Sequence, residues 1–162
     1  MRGFEAVQCR YMKRRSIACI MFPSTVRVLV VDDYEPFRHF VCSTLGKRPG
    51  FLIVGEASDG LEGVVKAEEL KPDLIVLDIG LPTLNGIEAA RQILKVAPES
   101  KIIFVSQESS ADLVQEARRL GARGYVVKTS VASDLLAAVE SVLLGKYFVS
   151  LGFSSKMQKA TP

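Results

Sequence analysis

Tryptophan is missing from this chain, histidine occurs once and cysteine three times in 162 residues. Cys9, Cys19 and Cys42 are an odd number with no close pairing, which excludes a disulfide framework and a Cys-x-x-Cys metal site and predicts a reducing, cytoplasmic setting. Long hydrophobic runs are absent too. The longest near the N-terminus, 17–22, falls well short of the roughly 20 apolar residues of a membrane helix, so no membrane span is expected. It also makes a poor secretion signal: the basic stretch before it is long, no small-x-small cleavage pattern comes after it, and a strand begins almost at once. Low-complexity tracts are lacking, and 48% hydrophobic with 24% charged residues is the composition of an ordinary globular domain. The length allows one sizeable core but not two domains of ordinary size.

The net charge of +3 invites a nucleic-acid reading until it is divided along the chain. Residues 1–20 carry five basic and one acidic residue, 21–145 carry 13 basic and 17 acidic, and 146–162 carry three basic and none acidic. The body is mildly acidic between two basic ends, which is not the charge of a phosphate-tracking surface. Solvated tails are the simpler reading of the ends, and contact of a basic arm with an acidic partner or a membrane is the sharper alternative.

From Val26 onward short β-branched apolar runs alternate with longer stretches of helical period, the pattern of βαβ units around a parallel sheet. Strands are predicted at 27–31, 51–57, 73–77, 101–105 and 124–127, and helices at 35–47, 60–70, 86–96, 110–120 and 131–144. Several strands are apolar at consecutive positions, as required when helices cover both faces. Gly121 reads as a stop for the fourth helix, Pro98 lies just past the third, and Ser130 reads as a cap for the fifth. Five β–α repeats of this length fit an α/β, flavodoxin-like, doubly wound fold with strand order 2-1-3-4-5, whose ligand site lies at the carboxyl ends of the strands.

Reactive side chains fall at those ends. The first strand runs into Asp32 and Asp33, the third into Asp78, the fourth into Ser106 and the fifth into Lys128. Right-handed crossovers would gather them in one crevice. Carboxylates so gathered repel one another and demand a cation, and oxygen-only donors suit Mg²⁺ or Mn²⁺. With that charge screened, an aspartate can attack an electrophilic phosphorus, while Lys128 and the Ser106 hydroxyl meet the new phosphoryl oxygens. Each residue alone has a bland reading: a solvated loop carboxylate, a helix cap for Ser106, a half-buried strand aromatic for Tyr125. Their conjunction in one cleft outweighs it. His39 falls inside the first predicted helix, away from the strand ends, and reads as a surface or packing residue. Gly55, Gly60 and Gly63 do not form a dinucleotide fingerprint after the first strand.

The runs VLVVDD (28–33), LIVLDIGLPTLNGIEAARQI (74–93), IIFVS (102–106) and GARGYVVKTS (121–130) resemble the bacterial response-regulator receiver family over about 24–145. The spacings of 45 residues from Asp33 to Asp78, 28 to Ser106 and 22 to Lys128 resemble the subgroup that usually continues into a helix-turn-helix domain. The resemblance implies that Asp78 is the phosphoacceptor. Asp33, Asp78 and the Gly80 carbonyl would ligate the metal, with Asp32 acting mainly through metal-bound water. Ser106 would be the switch hydroxyl, Tyr125 the aromatic that reorients with it, and Lys128 the tie to the phosphoryl group; Pro82 and Gly86 match the loop after the acceptor. The implied partners are a sensor histidine kinase or phosphotransfer protein, and a homodimer or output protein on the face of helix 4, strand 5 and helix 5. No turnover substrate is implied, only self-phosphorylation and self-dephosphorylation.

The family often has proline after its lysine where this chain has Thr129. After Leu144 the remaining residues are too few for a helix-turn-helix unit, so DNA binding in cis is not expected. Residues 1–23 are expected to be a disordered extension, with Met21 as an alternative start, and 146–162 a short tail. On the fifth helix Leu136, Leu143 and Leu144 form a second apolar stripe, for core packing, cover by Tyr147, Phe148 and Phe153, or a partner. Two rival functions fit less well. A phosphohydrolase of the haloacid-dehalogenase kind needs a second aspartate two residues past the nucleophile, where Gly80 stands. A phosphorylation-independent interaction module would leave the intact site residues without a purpose.

Overall fold

The computed structural model describes residues 24–150; the expected N-terminal extension and Phe153 lie outside them. In chain order the elements are β1 (Val26–Val31), α1 (Glu35–Gly46), β2 (Phe51–Ala57), α2 (Gly60–Leu70), β3 (Leu74–Asp78), α3 (Gly86–Val96), β4 (Lys101–Ser106), α4 (Ala111–Leu120), β5 (Gly124–Val127), α5 (Val131–Leu143) and β6 (Phe148–Val149). The sheet is parallel throughout and ordered β2-β1-β3-β4-β5-β6. The doubly wound order is as predicted, with one correction: a sixth strand extends the edge. Gly145 (φ +80°) turns the chain after α5, and Phe148–Val149 then pairs with Gly124 and Tyr125. Two residues are too few for a periodic signal.

β3 is buried along its whole length, because apolar cores lie on both sides of the sheet. Ala67, Ala90, Ile93 and Ala117 bring α2, α3 and α4 onto one face, where small residues let the helices approach closely. Val41, Leu45, Leu135, Val139 and Val142 bring α1 and α5 onto the other. Leu136 and Leu143 pack at the margin of that second core, so only Leu144 of the extra stripe stays exposed. Cys42 is a free thiol on α1.

Helix starts are chemically marked. Asp59 accepts from the Glu62 N–H at 2.9 Å and Asn85 from the Glu88 N–H at 3.0 Å, each satisfying a donor the helix cannot pair internally. Ser130 does not do this for α5. A short 3₁₀ turn, Lys128–Ser130, leads directly into the helix, and the Ser130 carbonyl instead accepts from Ser133 Oγ. Gly121 ends α4 in the left-handed region (φ +110°), as predicted.

One glycine fixes the backbone beneath the strand ends. A Cβ on Gly86 would stand 2.0 Å from the Asp78 carbonyl oxygen, and the Gly86 N–H donates to the Ile79 carbonyl at 2.9 Å. A Cβ on Gly80 would meet nothing closer than 3.9 Å. Gly86→Ala is therefore expected to lower the unfolding free energy by roughly 1–3 kcal/mol, as overpacking does. Gly80→Ala should change it by less than about 0.5 kcal/mol; urea titrations of both variants check the contrast.

Candidate functional site

The helices on either side of β1 and β3 run to opposite faces of the sheet, leaving a crevice above the strand ends. It is an open cleft of about 440 Å³ lined by Asp33, Tyr34, Asp78, Gly80, Ser106 and Lys128, among others. Asp32 and Asp78 are almost wholly buried, at 1% and 5% exposure, whereas Asp33 is exposed. Oxygens of the three carboxylates lie within 4.8 Å of one another.

Asp32 is held by the next few residues of the chain. Its Oδ1 accepts from the Tyr34 N–H at 2.9 Å, and its carbonyl accepts from Arg38 Nη1 at 2.7 Å. Arg38 is itself paired with Glu56 at 3.0 Å. The first turn of α1 is thereby anchored to the end of β1. Across the cleft, Lys128 Nζ lies 2.7 Å from Asp32 Oδ2 and 3.3 Å from Asp78 Oδ2. The shorter contact is a nearly buried ion pair. The Phe37 ring lies on another side of the ammonium, its centroid 4.5 Å from Nζ. Asp78 Oδ1 accepts from the Gly80 N–H at 3.2 Å.

Burial, and then the neighbouring Asp32 carboxylate, push the Asp78 carboxyl above its ordinary range, with Lys128 and the Gly80 N–H opposing them. One ammonium against three carboxylates leaves the cluster short of positive charge. Hard oxygen donors, one of them exposed in an open cleft, fit Mg²⁺, which keeps several of its waters. Gly80 lines the cleft, and the bond it shows is through its N–H.

Ser106 and Tyr125 grip the same backbone. Ser106 Oγ accepts from the Glu108 N–H at 3.1 Å, and the Tyr125 hydroxyl donates to the Glu108 carbonyl at 2.8 Å. Tyr125 is fully buried rather than half-buried, and that burial raises its hydroxyl above the usual range. The bond after Lys128 is trans, like every described peptide bond. All seven residues singled out for the site thus stand on or beside the cleft, and His39 does not line it. Sequence reasoning missed Phe37, Arg38 and Glu108. Phe37 and Arg38 had a signal, the first helical turn after an acidic pair; Glu108 acts through its backbone and had none.

The family model described as Response regulator receiver domain matches residues 28–140. The chemotaxis protein CheY of Thermotoga maritima is 38% identical over 116 residues, 72% of this chain and 96% of that protein. The transcriptional regulatory protein LiaR of Bacillus subtilis is 37% identical over 75% of this chain, which spans only 57% of LiaR. Among solved structures, a LuxR-family two-component response regulator from Aurantimonas sp. SI85-9A1 superposes with a TM-score of 0.79 at 32% identity, covering 84% of this chain and 97% of that one.

The raised Asp78 carboxyl sets the sign of a stability effect. A carboxyl that holds its proton more tightly folded than unfolded favours folding at acid pH, and the benefit is lost as pH rises through the folded value. Metal-free Asp78→Asn should therefore be more stable than wild type at neutral pH, with the difference shrinking as pH falls through the ordinary carboxylate range. Urea unfolding in chelator across that range measures it.

Proposed function

Because the chain belongs to the response regulator receiver domain family, we propose that Asp78 accepts a phosphoryl group from a sensor histidine kinase or phosphotransfer protein. The observation that carries the reading is the cluster of Asp32, Asp33 and Asp78 closed by Lys128. Asp33, Asp78 and the Gly80 carbonyl would hold Mg²⁺ or Mn²⁺, with Asp32 acting through its water. The ion supplies charge neutralisation for the incoming phosphoryl oxygens.

An Asp78 carboxylate oxygen attacks phosphorus as the bond from phosphorus to the donor's imidazole nitrogen breaks, and the imidazole takes up a proton as it leaves. Lys128, already 3.3 Å from Asp78 Oδ2, has a short path to the new phosphoryl oxygens. The Ser106 hydroxyl, once it releases the Glu108 N–H, can donate to the same group. Glu108 is also bonded to Tyr125, so movement of this loop reaches β5. Phosphorylation would thereby shift a balance between two conformations that a partner or second copy reads on the α4–β5–α5 face. We take residues 24–145 as the functional unit, with β6 added at its edge.

Intact-mass spectrometry after incubation with a small-molecule phosphodonor tests this. Wild type with Mg²⁺ should gain one phosphoryl group; Asp78→Ala, or chelator, should abolish it. Lys128→Ala should slow its appearance by about 10²-fold, the usual effect of deleting one preorganised charge-stabilising donor. An adduct that persists in Asp78→Ala would overturn the assignment.

A further inference from the structure

We propose that Phe37 is a positioning residue for the phosphoacceptor site: its ring holds the Lys128 ammonium in place between Asp32 and Asp78. This role rests on the receiver chemistry proposed above and deepens it. The ring centroid is 4.5 Å from Nζ, and the Lys128 side chain is only 12% exposed. A cation over an aromatic face is attracted by the ring's negative centre, and the attraction strengthens as water is excluded.

The ring's placement is set by the site itself. Asp32 binds the Tyr34 N–H and, through its carbonyl, Arg38, so Phe37 sits inside a helical turn clamped at both ends by one residue. The Phe37 N–H donates to the Tyr34 carbonyl at 3.1 Å, and the side chain packs on the core shared by α1 and α5. Asp32 thus binds Lys128 directly and also anchors the turn that carries the ring over it.

An ion pair with two carboxylates leaves the ammonium free to turn toward water in the open cleft. A ring accepts no conventional hydrogen bond, so it restrains the ammonium while leaving its N–H groups for carboxylate and phosphoryl oxygens. Asp33, exposed and not in contact with Lys128 by any ion pair, can still hold a metal ion whatever the ring does. Asp78, the other expected ligand, does pair with Lys128, so the rate at saturating Mg²⁺ is what separates delivery of the lysine from binding of the metal.

The test replaces Phe37 in the full-length chain by pentafluorophenylalanine, which keeps the ring's shape and reverses its charge distribution, alongside Phe37→Tyr. In metal-free protein, the Lys128 ε-methylene protons should lie upfield in the NMR spectrum of wild type and Phe37→Tyr, and return toward the free-lysine position in the fluorinated protein. Adduct formation should slow by about 5- to 10-fold in the fluorinated protein, the rate equivalent of one cation–π contact. These rates are compared at saturating Mg²⁺, where Phe37→Tyr should retain the wild-type value. A fluorinated protein that reacts at the wild-type rate, or whose slower rate is fully restored by raising Mg²⁺, overturns the role of the ring while leaving the receiver chemistry standing. Wild type that takes no phosphoryl group overturns both.

Discussion

Lys128 joins three parts of the sheet that the chain reaches far apart in sequence. It lies just past β5, yet its ammonium rests against carboxylates at the ends of β1 and β3. Two nearly buried aspartates placed side by side would drive one another and the strands beneath them apart. The lysine makes their proximity tolerable, and it does so incompletely, because one positive charge answers three negative ones. The arrangement is consequently poised: stable enough to fold, and short of the charge that a metal ion and then a phosphoryl group would redistribute. The deficit costs stability and, by the same charge, makes the site attractive to a cation.

Much of this is legible in the sequence. Strands buried on both faces become continuous apolar runs, and a run that stops at an acid, a serine or a lysine announces a strand end with something to do. That is why Asp32, Asp33, Asp78, Ser106 and Lys128 could be named together. The unread parts depended on geometry rather than residue type. Phe37 has the look of any helical core aromatic until the lysine across the cleft is placed. Glu108 participates through its backbone, which its side chain does not advertise. The pairing of β1 with β2 shifts between Val28 and Leu29, placing Leu29 opposite Gly55 and leaving Val54 without a partner. An alternation argument applied to β2 alone cannot detect that slip. Ser130 failed as a cap because the chain enters α5 through a tight turn instead of from extended backbone.

The loop after β4 is where the chemistry of the cleft meets the rest of the fold. Ser106 holds the amide of Glu108 and Tyr125 holds its carbonyl, so one peptide segment is tethered from the reactive side and from the buried side at once. Tyr125 in turn lies in β5, whose backbone is gripped by the segment after α5: the Ser150 N–H donates to the Tyr125 carbonyl, and Ser150 Oγ accepts from the Val127 N–H, each at 3.0 Å. Arg118 of α4 lies over the Tyr147 ring, 4.8 Å from its centroid, tying α4 to the same segment.

The short β6 also changes how the sheet meets its surroundings. A sheet that can add strands at both ends can polymerise; one that can add them at only one end can do no more than pair. Here β2 forms one border and exposes Leu52, while the other border is a strand of two residues, too short to template a neighbour. Among the described residues, then, the border open to a neighbouring strand is β2 and not β6.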